Sequence, residues 1–190
     1  MEIAKANHMR KLIAAINMTL DGFCDHTAVS PDDDIHEHYS ELLRESGIIL
    51  YGRITYELMK YWQTIVHSPT GNEALDEFAH TMDRIPKLVF SHTLKSTEWE
   101  SARLATKDLK DEILELKQQE RKDMLVGSPS LIVSALNLNL VDELQLCIHP
   151  VIAKTGMPLF KNIHDRTILK LLKTKTFDCG AVIHYYKPGE

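Results

Sequence analysis

Residues 50–57 read LYGRITYE. The apolar run Ile48–Tyr51 has strand character and Ile54–Glu57 can open a helix, so Gly52 and Arg53 fall where one element hands over to the next. Free backbone N–H groups and the helix dipole attract an anion at such a junction. Arg53 adds a permanent charge with a forked donor set suited to phosphate. A second junction has the same form: Met124-Leu125-Val126 runs into Gly127-Ser128-Pro129-Ser130 and an apolar helix to about residue 138. Glycine there admits a close approach by a diphosphate. Ser91-His92-Thr93, after the apolar run KLVFS, offers two hydroxyls and an imidazole for a second phosphate or a ribose. Anion contacts at several separated strand ends imply one long ligand carrying phosphates at more than one place.

Each of these residues also has a plainer role. Arg53 can serve a surface ion pair, and Ser128-Pro129 is an ordinary helix start, with Ser as N-cap and Pro in the first turn. Asp21 is the candidate catalytic group, as acid, water-holder or hydrogen-bond partner of a substrate, yet Asp before Gly22 is equally a turn former. Glu57 fits a first-turn dipole partner or a partner of a nearby base. Tyr39, Tyr61 and Trp62 can wall a flat heterocycle or simply fill core. His36 and His38 lie two apart, which on a helix points them away from each other, so no metal site is expected.

The elements that would position these groups can be read from periodicity. KLIAAIN at 11–17 is a buried first strand followed by a loop through Asp21-Gly22. SPDDDIHEHYSELLRES starts with capping residues and then sets Ile35, Tyr39, Leu42 and Leu43 at helical spacing. A strand over 48–51, a helix from about 54 to 63, an amphipathic helix over 73–83 and a strand over 87–91 follow. Thr106 is the expected cap of a helix with Leu109, Ile113 and Leu116 inward. After the strand 124–126 and its helix, ELQLCIHPVI, TILKLLKTKTF and AVIHYYK read as strands, the last two joined by a hairpin turn at Asp178-Cys179-Gly180. Alternation through residue 140 argues for an α/β fold with a mostly parallel sheet, helices on its faces and an antiparallel ending. In such sheets the ligand sits beyond the carboxyl ends of the parallel strands, at loops 17–24, 51–55, 91–95 and 127–131.

Composition sets the outer limits. The 190 residues, 44% hydrophobic and with a net charge of −5, suit one globular domain with no broad basic field for a nucleic acid. Cys24, Cys147 and Cys179 are widely spaced and form no CxxC, which fits a reducing cytoplasm. The stretch MEIAKANHMRK has no apolar leader, and no run approaches a membrane span, so no membrane partner is expected. Neither GxGxxG nor GxxxxGK[ST] occurs.

KLIAAINMTLDG, YGRITYE, KLVFSHTL, LVGSPSLIVSAL and LVDELQLCIHPVIAKTGMPLF together resemble the dihydrofolate reductase fold, in the branch of the reductase domain of bacterial riboflavin biosynthesis enzymes. The resemblance runs over nearly the whole chain. It implies a dihydrofolate reductase-like domain over residues 1–190, an NADPH-dependent oxidoreductase activity on a small heterocycle such as a pterin or ribosylaminopyrimidine, and a homodimer. It places Gly52, Arg53 and Thr55 on cofactor phosphates, and Ser91, His92 and Thr93 by the adenosine ribose and its 2′-phosphate. Gly127, Ser128, Ser130 and Leu131 would flank the diphosphate, and Ala14, Ala15 and Ile16 the nicotinamide. Asp21 and Gly22 would close over the reacting end and face the substrate, beside the wall that Tyr39 and Trp62 can offer. The absence of an acidic residue after strand 87–91 favours NADPH over NADH. Two departures stand out: Pro129 where relatives have a small residue, and IAKTGMPLF where they have a Leu-Gly-x-Gly turn, here left to Gly156. A non-catalytic nucleotide- or metabolite-binding module of the same fold is the alternative.

Overall fold

Strand β1 (Leu12–Thr19) sends Leu12, Ala14, Ile16 and Met18 to one face of a sheet and Ile13 and Ala15 to the other. Both faces are covered, so both sets of side chains are largely withdrawn from solvent. The computed structural model describes residues 9–189. Residues 1–8, on which part of the expectation about a leader rests, lie outside the described residues.

From Asp32 the chain enters α1 (Asp33–Glu45), whose N-cap carboxylate accepts the Ile35 N–H at 3.0 Å. It continues through β2 (Ile48–Gly52), α2 (Arg53–Met59), α3 (Tyr61–His67), α4 (Glu73–Arg84), β3 (Lys87–Phe90) and β4 (Ala102–Leu104). Then come α5 (Leu109–Lys117), β5 (Met124–Val126), α6 (Pro129–Asn137), β6 (Glu143–His149), β7 (Leu169–Thr176) and β8 (Val182–Pro188). The strands form one sheet in the order β4-β3-β2-β5-β1-β6-β8-β7, parallel from β4 to β6 and antiparallel at the β8-β7 end.

The helices divide by the direction of each crossover. Leftward connections, from β1 to β2 and from β2 to β3, put α1 and α4 on one face, where Leu42, Leu43, Phe78 and Met82 cover Ile13, Ile49 and Val89. Rightward ones put α5 and α6 on the other, where Ile113 and Ile132 are fully buried against Leu12, Leu50 and Leu144. Truncating either isoleucine to alanine should cost about 2–5 kcal/mol. The end of β5 therefore stands between β2 and β1, whose connections leave toward the opposite face. That is the switch point at which such sheets open a crevice. Pairing of β1 with β5 stops at Ala14 and Val126, while β1 runs on beside β6 to Thr19.

Several expected boundaries move. The helix expected over 54–63 is two, because at Lys60 the bonding tightens to a three-residue step, with Gln63 N–H on the Lys60 carbonyl at 3.1 Å. The cap of α5 is Asp108, not Thr106: its carboxylate accepts the Asp111 N–H at 2.9 Å, while Thr106 N–H goes to Glu112 at 2.9 Å. Strand β4, too short to show a pattern, pairs with β3 at the sheet's end. The strand expected over ELQLCIHPVI ends at His149, before Pro150, and that over TILKLLKTKTF starts at Leu169. The turn at IAKTGMPLF is not left to Gly156, because Lys154 takes φ 68 and shares the left-handed geometry. No helix among the described residues is long and apolar enough to cross a membrane.

Candidate functional site

The β2–α2 and β5–α6 turns are stapled together. Gly52 caps α2, and its N–H donates to the buried Ser128 hydroxyl at 2.8 Å. The Gly52 N–H is therefore not free to meet a phosphate, whereas the buried Ser128 hydroxyl, accepting it, keeps its own proton to donate. Gly127 is also set back: a methyl there would lie 3.4 Å from the Tyr51 ring. What remains presented is the Arg53 guanidinium, exposed and without an ion-pair partner among the described residues, and the first turn of α6. In α6 the first helical bond is donated by Ile132 to the Ser128 carbonyl at 2.9 Å. The Ser130 and Leu131 N–H groups thus have no partner within the helix, and Pro129 has none to offer.

A cleft of about 920 Å³ joins Gly52, Arg53 and Thr55 to Ser91, His92 and Thr93 and to Ser130 and Leu131. Lys107, just before α5, and Lys110, in its first turn, border it as well, though the motifs did not point to them. Ser91 shapes its own loop by accepting the Thr93 and Leu94 N–H groups at 3.1 and 2.9 Å. Glu57 is drawn to Lys60 at 2.9 Å, away from chemistry.

Asp21 has a structural task. Its carboxylate accepts the Thr19 hydroxyl at 2.6 Å and the N–H groups of Ala153 and Lys154 at 3.1 and 2.8 Å. The Thr19 hydroxyl, aided by the two amides, holds its pKa below the usual carboxylate value. A group so held is ionised at neutral pH and would have to leave three donors before giving up a proton. Gly22 follows with φ 92, and its N–H closes the turn on the Thr19 carbonyl at 3.0 Å. Asp25 repeats the clamp on the Met157 N–H at 2.5 Å, where a methyl on Gly156 would overlap its carboxylate.

On the α1 face of β1 a polar group gathers that sequence reasoning missed in part. Asn17 Oδ1 lies 3.0 Å from His149 Nε2 and 3.4 Å from the Tyr39 hydroxyl, with Cys147 Sγ 3.7 Å from the same imidazole nitrogen. Since Oδ1 only accepts, His149 bears its proton on Nε2. Burial lowers the His149 pKa against the opposing pull of Asp32, so the ring is neutral at pH 7, and burial pushes the Cys147 thiol up to about 12. Strand alternation carried the signal: Asn17 falls in step with Ile13 and Ala15, and His149 with Gln145 and Cys147, polar residues at inward positions.

Trp62 stands nearby in an edge-to-face stack, 4.5 Å from Phe78 and 5.9 Å from His36, while Tyr61 is more than half exposed. His36 donates to the Asp32 carbonyl and His38 accepts from Lys175, so the two rings serve different neighbours. Ala14 and Ile16 are buried on the α6 face, leaving only their main chain to a ligand; Ala15 is partly exposed on the α1 face.

The cleft thus lies beyond the carboxyl ends of β2, β3 and β5, bordered by the exposed Arg53 and by the first turn of α6. The profile of the RibD C-terminal domain family matches residues 10–183, and the chain belongs to that family. The uncharacterized protein YyaP of Bacillus subtilis (strain 168) is 33% identical over 181 residues, covering 91% of this chain and 92% of its own. A Shewanella sp. PV-4 protein named for riboflavin biosynthesis has the same fold, with a TM-score of 0.71 at 17% identity over 95% of this chain and 99% of its own. So does the Thermotoga maritima diaminohydroxyphosphoribosylaminopyrimidine deaminase/5-amino-6-(5-phosphoribosylamino)uracil reductase. There the TM-score is 0.66 at 14% identity, over 95% of this chain but 57% of that protein.

Proposed function

We propose that the chain is an NADPH-dependent reductase acting on a small heterocycle, of pterin or pyrimidine type. The observation that carries this is the meeting, in one cleft, of eight residues from three loops that the phosphate-compatible motifs and the family resemblance had singled out. The donors fit the group: a free guanidinium, hydroxyls, and two helix N–H groups without helical partners suit phosphates and a ribose. NADPH, when bound, supplies the hydride. Arg53 and Thr55 hold a phosphate, Ser91, His92 and Thr93 the adenosine ribose with its 2′-phosphate, and the Ser130 and Leu131 amides the diphosphate. The main chain of Ala14, Ala15 and Ile16 orients the nicotinamide. Gly127 and Ser128 act one step back, setting the two turns in register.

Asn17, Tyr39, His149 and Trp62 face the substrate. Asp21 and Gly22 fix the loop above it, and the proton comes from water held beside the neutral His149–Asn17 pair. Titrating NADPH by its fluorescence, and following its oxidation on addition of a heterocycle, tests the proposal; no binding at millimolar cofactor defeats it.

One observation favours a second reading, a nucleotide-binding module without turnover: Asp21, the acid the loop would offer, is fully engaged. Substrate-dependent cofactor oxidation excludes it. A homodimer also belongs to the proposal, because β7 is an exposed edge strand carrying Leu171 and Leu172, each about half exposed. A 21.7 kDa species in light scattering removes that element. The unpaired state of all three cysteines suits a reducing cytoplasm.

A further inference from the structure

The charges of this chain are sorted about β1. Residues 12–43, which make β1, the loop after it and most of α1, carry seven Asp and Glu and no Lys or Arg. Two more segments close the same side: 143–153, with β6, and 176–186, with the hairpin turn and most of β8. They add Glu143 and Asp178 and again no Lys or Arg. These segments meet at Asn17, His149 and Tyr39, where Asp32 also hydrogen-bonds the Cys179 thiol. Across β1 the sign reverses, because the cleft at Gly52 and Ser130 is bordered by Arg53, Lys107 and Lys110 against Asp108, with Lys107 paired to Glu115.

We propose that the substrate half of this crevice takes an unphosphorylated, neutral or cationic heterocycle. The Asn17–Tyr39–His149 cluster that would face it is built from segments holding nine carboxylates and no Lys or Arg, with Lys173 and Lys175 brought alongside by β7. The inference rests on the reductase reading, which puts the substrate on the α1 side of β1. Asn17 Oδ1 is taken by two donors, so its NH2 keeps two hydrogens with no acceptor among the described residues. They suit a ring carbonyl or an unprotonated ring nitrogen. A phosphate ester brings a charge of about −1.5 to −2 and would meet Asp32, whose charge acts on His149, while the β7 cations Lys175 and Lys173 are turned to His38 and to the Tyr185 ring. The first cation after β6 is Lys154, exposed beyond Asp21, whose carboxylate already holds its N–H. In this the chain departs from the substrate named for the Thermotoga protein, which carries a phosphoribosyl group.

The test begins with NADPH binding by fluorescence, since its failure removes the reductase reading itself. The NADPH-loaded protein is then offered a panel of pyrimidine and pterin heterocycles, each with and without a phosphate ester, and binding is read by calorimetry. The expected best binder is unphosphorylated, at least about tenfold tighter than its phosphate ester, with the gap narrowing as salt is raised. A phosphorylated best binder, or a panel in which nothing binds a protein that does bind NADPH, overturns the inference alone. A second readout needs no substrate. Small cationic and anionic paramagnetic probes are compared by NMR at the Asn17 side-chain amide and at the Ser130 amide. The cationic probe should act more strongly at Asn17 and the anionic one at Ser130; equal or reversed effects overturn the inference.

Discussion

Replacing Pro129 by alanine probes the cleft through a donor that is missing. Helix α6 begins at Pro129, and its first internal bond is donated by Ile132, so only Ser130 and Leu131 leave amides open at the helix start. Pro129→Ala restores a third N–H at the place where the diphosphate would lie. A net hydrogen bond contributes about 0.5–1.5 kcal/mol, so NADPH affinity should rise roughly two- to twelvefold. The same change releases proline's restraint on the unfolded chain, at about 0.4–1 kcal/mol. That should lower the cofactor-free melting temperature by roughly 1–4 °C. Fluorescence titration and thermal melts of both proteins read the two effects separately. A variant that folds, melts slightly lower and binds NADPH no better refutes the placement of the diphosphate at this helix start.

Three further substitutions test other links. Ser128→Ala removes the acceptor of the Gly52 N–H and should cost about 1–3 kcal/mol in urea unfolding; a loss below about 0.5 kcal/mol would mean that the staple carries no weight. Lys154→Gly relieves a left-handed residue and should stabilise by up to about 1 kcal/mol, provided the N–H to Asp21 persists; destabilisation contradicts the turn geometry. Lys87 is buried with its ammonium on the Ile85 carbonyl and Ser101 hydroxyl, both at 2.8 Å, and over the Trp99 ring at 3.9 Å. Burial, against the opposing pull of Asp83, brings its pKa down to about 7. Between pH 7 and about 10.5 the unfolded chain binds the proton that the folded one releases, so the cost of burying this side chain is full below pH 7 and falls as pH rises. The acceptors and the ring hold part of the charge, so wild type should gain about 1 kcal/mol over Lys87→Met between pH 7 and 9; parallel stability curves would refute this.

Long periodic segments declared themselves in the sequence. The spacing of Ile35, Leu42 and Leu43 in α1 and the alternation in LIAAINMT follow from burial on defined faces, which is what periodicity records. Features set by partners distant in the chain did not. Strand β4 exists because β3 offers an edge, and three residues with an exposed Arg103 show no pattern of their own. Arg53, His92 and Thr93 were legible as anion-binding types and do share one cleft. Ser128 was equally legible by type, yet its hydroxyl oxygen accepts the Gly52 N–H, a pairing across 76 positions that no local pattern encodes. Asp21 was visible as a turn residue and as an acid, and its three donors, two of them from Ala153 and Lys154, favour the turn. Asn17 and His149 could have been flagged as polar residues in inward register, but only the pairing of β1 with β6 brings them together.

The central claim is tested most directly by a crystal structure of the protein soaked with NADPH. The account predicts density for one dinucleotide, its 2′-phosphate near Ser91, His92 and Thr93, a phosphate at Arg53 and Thr55, its diphosphate on the Ser130 and Leu131 amides, and its nicotinamide against the main chain of Ala14–Ile16. A dinucleotide bound elsewhere, or a cleft left empty at saturating NADPH, would contradict it.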